Sequence, residues 1–333
     1  DWSSDVCSSD LFPQVSLGKS NLLITPSWDF KFQCLYKISG RLYLRSILFG
    51  QWSMPDAEDT YINPAMHSIP SPYLLTQFND GADIGFWYRT PVVKFSASVY
   101  WKNAFNENLR KMFYHDAYAS FVYGIAGNAS KRYTGIETSC ETNFIQRLQI
   151  SLVATLQQNI FANNLNYKIL SVNDLQLMES GILHTNSLPA SNSPSFANAL
   201  NIIYEPFYAT KLGVTLVYAK DRPVALDVFR RADVVKNKLD PYSWSRHLSP
   251  SFLQDQAVVN AFLSKSIQLK ARQHKIFLSA FLSARNLFNV LVPVFAYEQS
   301  RFDYLHFNPN KYALKYLFDQ GINYSIKFQL QIQ

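Results

Sequence analysis

No run of about 18 consecutive apolar residues occurs in this chain, so a helical membrane span is ruled out. Glycine is scarce, 11 in 333 residues, and none of it forms a loop able to cradle a phosphate. Cysteine is scarcer still, at three. Cys34 and Cys140 each fall on the apolar face of an alternating segment, where an isolated thiol packs as a small hydrophobe rather than entering a disulfide. The net charge is +7, but Lys31, Lys37, Arg41, Arg45, Lys94 and Lys102 are dispersed singly. A nucleic-acid face would gather such residues into a stripe, so no nucleic-acid partner is expected. Catalytic groupings are missing too. Ser245 and His247 are close in sequence but lie on no nucleophile elbow, and the chain does not read as an enzyme.

What the chain has in quantity is alternation. Ile322, Tyr324, Ile326, Phe328, Leu330 and Ile332 share one face of the last twelve residues, and Asn323, Ser325, Lys327, Gln329, Gln331 and Gln333 share the other. Period two is the signature of a β-strand, because successive side chains point to opposite faces of the pleat. The same pattern recurs in pairs. Residues 28–38 turn at Ser39-Gly40 into 41–51; a strand ending at Thr90-Pro91 returns along 93–101; 134–144 returns along 148–156. Two further pairs fall near 195–206 with 210–220 and 256–268 with 274–289. Between pairs lie long connections, roughly 52–80, 104–131, 158–194, 221–251 and 290–318, the third with apolar text from Tyr167 to Leu177 that suits a short hairpin.

Tight turns alternating with very long loops are unusual in a soluble domain. They are expected of an outer-membrane barrel, with short periplasmic turns and long extracellular loops. The mean hydropathy of −0.10 agrees, since alternating strands average to neutral. So does the aromatic content, 25 Phe, 20 Tyr and 6 Trp, which girdles at two membrane interfaces would use. The expected fold is therefore all-β, an antiparallel transmembrane β-barrel. Eleven strands are read, an odd number, and a closed single-chain barrel has an even one; the chain is expected to be part of a barrel. A soluble sandwich or propeller would show similar alternation, and a passive porin-like channel is a third reading.

Several segments, in order, resemble the C-terminal barrel half of TonB-dependent outer-membrane receptors of the Bacteroidetes type. They are Ile24-Thr25-Pro26-Ser27 entering a strand, Trp52-Ser53-Met54-Pro55-Asp56 leaving the next, Tyr133-Thr134-Gly135-Ile136-Glu137, and Asn286-Leu287-Phe288 on the penultimate strand. The resemblance implies a barrel of 22 strands, of which these are eleven, filled by an N-terminal plug domain. It implies energised uptake of a siderophore, cobalamin, haem or glycan. The implied partners are the TonB complex through that plug, a small-molecule or glycan ligand at the extracellular loops, outer-membrane lipid and a surface lipoprotein. The family commonly ends on an aromatic residue, whereas this chain ends Ile332-Gln333. Residues 1–11, DWSSDVCSSDL, resemble a translated sequencing adapter, which leaves 12–333 as the barrel segment and the plug outside it.

Candidate ligand contacts are sought in the outer loops. Trp52, Tyr123 and Trp244, with Arg230, Arg231 and Arg246, combine the residue types favoured at binding sites, although aromatics there also serve as membrane anchors. His67, His115, His184, His247 and His306, with Met54, Met66, Met112 and Met178, fall in the same loops, but no pair has metal-ligand spacing. No cofactor is expected. Arg41, Arg45, Glu137 and Glu141 are expected to face a polar lumen.

Overall fold

The computed structural model describes residues 23–55, 57–63, 69–271, 274–301 and 311–332. The adapter-like residues 1–11 lie outside them. The alternating segments form β1 (Trp28–Lys37), β2 (Leu42–Ser53), β3 (Gln77–Arg89), β4 (Val93–His115), β5 (Ser120–Ile145) and β6 (Leu148–Phe161). A hairpin follows, β7 (Leu165–Ser171) with β8 (Leu177–Leu183), then β9 (Phe196–Tyr204) and β10 (Thr210–Lys220). The remaining wall strands are β13 (Gln256–Ala271), β14 (His274–Arg285) and β17 (Asn323–Ile332). Short pairs sit within the long connections: β11 (Arg222–Pro223) with β12 (Phe252–Leu253), and β15 (Pro293–Tyr297) with β16 (Lys315–Phe318).

Eleven strands run side by side in the order β1-β2-β3-β4-β5-β6-β9-β10-β13-β14-β17, every neighbour antiparallel, and β7 and β8 extend the sheet from the upper part of β5. The count matches the sequence reading. The two faces differ chemically along the whole wall. Ile84, Val99, Ile136 and Leu156 form one row across β3 to β6 and are 57%, 56%, 44% and 56% exposed. A soluble sandwich would bury such a row; an uncovered apolar band is what a lipid-facing wall presents. On the opposite face the cross-strand neighbours are polar. Arg45 donates to Asp83 at 2.8 Å, Lys94 meets Glu141 at 2.7 Å, and serine pairs bridge Ser96 to Ser139 and Ser266 to Ser279. This is the expected lumen side, carrying Arg45 and Glu141 as read from the sequence.

One expected loop is not a loop. Residues 104–131 continue β4 and β5 as a long ribbon, joined only by 116–119. The pairing register shifts between Ala104 and Glu107 and again between Glu107 and Leu109, with Asn106 at φ 59° and Asn128 at φ 60°. Bulges of this kind insert extra residues and break the period of two, so alternation ends in the sequence where the strand does not.

Buried core lies in this upper region, not in the wall. β5 is covered on both sides there. Val122 and Ala126 join Phe113, Phe161, Leu165, Phe229 and Val235 in one cluster, while Tyr123 and Ile125 join Ile62, Leu170 and Tyr73 in another. Two glycines permit it. A Cβ on Gly124 would lie 2.8 Å from the Phe229 ring, and one on Gly127 would lie 2.1 Å from Tyr73 Cβ. The result is a packed lobe standing on the long-loop end of the wall.

Candidate functional site

The connection from β10 to β13 folds over this lobe. Asp227 starts a 3-10 turn, Val228–Arg231, by accepting a hydrogen bond from Phe229 N at 3.1 Å. The turn drives Val228 and Phe229 into the apolar cluster and sends two arginines sideways. Arg231 is 1% exposed. Its guanidinium meets the Glu298 carboxylate with both terminal nitrogens, Nη2 to Oε1 at 2.7 Å and Nη1 to Oε2. Glu298 Oε2 also accepts from Asp227 N at 2.9 Å. Burial works to raise the Glu298 pKa, but the hydrogen bonds and charge of Arg231 prevail and hold it below the ordinary glutamate value. A fork-to-fork pair of this kind fixes geometry as well as charge.

A helix, Pro241–Leu248, follows. Asp240 caps it, accepting from Tyr242 N at 3.0 Å and Ser243 N at 3.1 Å, with Pro241 in the first turn where its missing N–H costs nothing. His247, on its last turn, is pushed down to about 4 by burial. It is therefore neutral near pH 7 and donates through Nε2 to Arg230 O at 2.8 Å. Trp244 points away from the helix's open side, edge-on to His184 at 5.5 Å. The open side carries Tyr242, Ser243 and Arg246, which with Arg230, Glu298 and Tyr312 line a cavity of about 610 Å³. Its size suits a small-molecule site, and its two arginines suit an anionic group.

The six expected ligand contacts thus part company. Arg230 and Arg246 line this cavity, Arg231 holds Glu298 beneath it, and Trp244 backs the helix. Trp52 and Tyr123 are strand residues, not loop residues. Trp52, next to the last residue of β2, stacks on Trp28 at 3.7 Å and meets Phe78 at a tilt at 4.0 Å, in a row that reaches Phe105. That is the arrangement of an interfacial anchor. Tyr123 is 2% exposed inside the lobe, where its hydroxyl accepts from Asn63 Nδ2 at 2.8 Å. Of the expected loop His and Met residues, Met112 and His115 stand on β4 and Met178 on β8; Met66, His67 and His306 lie outside the described residues. Among the described residues no three His, Cys, Asp or Glu side chains gather to hold a metal. Glu298 was not legible as a partner, since 67 residues separate it from Arg231.

No family model matches the chain, and no curated relative matches it in sequence. Solved structures do resemble it. The ferric-catecholate import receptor Fiu from E. coli K12, in its closed form, aligns with a TM-score of 0.52 at 14% identity, over 92% of this chain and 35% of that one. The ferric citrate transporter FecA, unliganded, aligns with a TM-score of 0.52 at 11% identity, over 91% of this chain and 38% of that one. The chain spans between a third and two-fifths of the length of these two proteins. Its fold resembles part of the wall of these outer-membrane β-barrel proteins.

Proposed function

We propose that this chain forms eleven of the 22 barrel strands of a TonB-dependent receptor of the Bacteroidetes type, taking up a scarce nutrient with energy relayed by TonB to a plug domain. The observation that carries this is the wall itself: an antiparallel sheet with an uncovered apolar face and a polar face, unpaired among the described residues at β1 and at β17. Unsatisfied strand edges in hydrocarbon cost several kcal/mol per group, so such a wall calls for further strands. The lobe and its arginine-lined cavity supply a capture surface at the outer face, served by Arg230 and Arg246. Siderophore, cobalamin, haem and glycan are the ligand classes in view, with outer-membrane lipid around the wall and a surface lipoprotein as a further partner. Residues 1–11 are taken as foreign to it. The test is uptake of labelled ferric siderophores, cobalamin, haem and oligosaccharides by cells expressing the complete receptor, with and without a working TonB system. TonB-dependent uptake of one class is expected. Uptake that persists without TonB, together with solute leakage in liposome-swelling assays, would replace this reading with a passive channel.

A further inference from the structure

At the short-turn end of the wall, the turn between β9 and β10 holds two aromatic side chains in the open. Phe207 is 72% and Tyr208 91% exposed. The base of this turn is pinned from both sides: Glu205 N donates to Arg147 O at 2.8 Å, Thr210 N to Phe207 O at 3.1 Å and Ser266 N to Ala209 O at 2.9 Å. The rings are thus displayed on a hydrogen-bonded support. On the neighbouring turn between β5 and β6, Phe144 and Ile145 are exposed as well. Apolar side chains gathered in this way mark an interaction surface.

Two cations flank the β9–β10 turn. Arg147 Nη1 donates to Pro206 O at 3.3 Å, and Lys265 Nζ donates to Tyr208 O at 3.1 Å and to Thr210 Oγ1 at 2.7 Å. All three acceptors are neutral. Both side chains are exposed, and among the described residues neither meets a carboxylate. The lumen-side lysines of the same rim are matched instead, Lys94 by Glu141 at 2.7 Å and Lys211 by Glu205 at 2.9 Å. The position of Lys265 sharpens the contrast, because on β13 it shares the apolar outward face with Leu263 and Ile267. A lysine on a lipid-facing wall is costly at depth and tolerated near the headgroups. Lys265, Phe207 and Tyr208 therefore mark the level of an interface, where cations and aromatic rings anchor a wall. Arg41 and Arg89, joined at the next turns by a bond from Arg89 N to Arg41 O of 2.9 Å, add two more exposed cations to this rim.

From these features we propose that Arg147 and Lys265 hold the headgroup of an anionic phospholipid in the leaflet at the short-turn end, with Phe207 and Tyr208 seated among its ester groups. A zwitterionic lipid offers the same phosphate but brings its own ammonium, so two cations without a counter-charge favour the anionic class. The proposal rests on the receptor reading only in setting the wall in a bilayer. It is tested on the complete receptor purified in a neutral detergent and titrated in mixed micelles with fluorescent phosphatidylglycerol and phosphatidylcholine. Phosphatidylglycerol is expected to bind more tightly. Arg147→Gln and Lys265→Gln are each expected to lower that preference by about fivefold, Lys265→Arg to keep it, and Phe207→Ser with Tyr208→Ser to weaken both lipids alike. Should a neutral variant fail to fold, the wild-type preference itself is expected to collapse between about 0.1 M and about 1 M salt. Equal affinity for the two lipids, or a preference that survives both glutamine substitutions in folded protein, overturns the proposal. So does displacement of the lipid by soluble glycerol 3-phosphate, which would make this a free-phosphate site, or capture of a protein in place of lipid by a photoreactive group at position 208 in cells. Anionic-lipid selectivity in a protein whose uptake proves TonB-independent supports it while the transport reading above falls.

Discussion

Glu298 shows how much of the lobe hangs on single side chains. It accepts from Arg231 and from the backbone that opens the 3-10 turn. Removing one partner of a buried ion pair leaves a desolvated charge and costs about 3–5 kcal/mol, whereas replacing both by apolar groups is often neutral. Glu298→Ala should therefore loosen residues 221–255 by that amount, read as hydrogen exchange in the complete receptor, and Arg231→Met with Glu298→Leu should recover most of it. Proton linkage gives a second expectation. Burial pushes His115 and His247 down from 6.5 to about 4, so between those values the opened lobe binds protons that the closed lobe refuses. The closed state is therefore favoured above pH 6.5 and loses stability as pH falls from 6.5 toward 4. Glu298, held below its ordinary value, adds a loss in the same direction at still lower pH. Protease cleavage within 221–255 should rise at pH 5 relative to pH 7.5, and His115→Gln with His247→Gln should flatten that dependence. These residues were only partly legible in the sequence. Arg230 and Arg246 stood out by type, but Arg231 reads the same as Arg230, and only tertiary pairing shows that one lines a cavity while the other is consumed beneath it.

Among the elements, the wall was readable because each strand carries its own environment in its period. β1, β9, β10, β13, β14 and β17 fall within a few residues of the alternating segments. The upper ribbon was hidden for a physical reason: the bulges at 104–109 and 126–129 shift the phase, and the strand beyond them is buried on both faces, so it no longer alternates. The hairpin β7–β8 was visible from its apolar text alone. Two expectations follow from this division. On the lipid face, Val99→Arg should cost about 2–4 kcal/mol in the complete receptor unfolded from lipid vesicles, while Ser98→Arg, one residue along on the lumen face, should cost far less. In the doubly covered part of β5, Gly127→Val must displace Tyr73 and the loop holding it. Overpacking of this kind costs about 1–3 kcal/mol, and the change should show as faster exchange at Ile62 and Ile69 with no effect on the wall strands.

At the scale of the whole molecule, stability is unevenly spread, a packed lobe on a sheet whose β1 is exposed along all ten residues. Strand edges of that kind template pairing with other chains. The chain expressed by itself should associate into heterogeneous oligomers in detergent, seen by size-exclusion chromatography, and a monodisperse monomer would contradict the open wall. The direction of the two edges sharpens what can close it. β1 runs toward the short turn at 38–41, and β17 descends from the long connection 286–322 toward that same end. Both rims therefore point the same way across the membrane. Folding β17 onto β1, or setting a second copy of this wall beside it in the same orientation, would create seams of parallel strands, foreign to an antiparallel barrel. Only a set of strands that begins and ends in the opposite sense, odd in number like this one but out of phase with it, joins both rims antiparallel, so the eleven described wall strands do not close a barrel on each other.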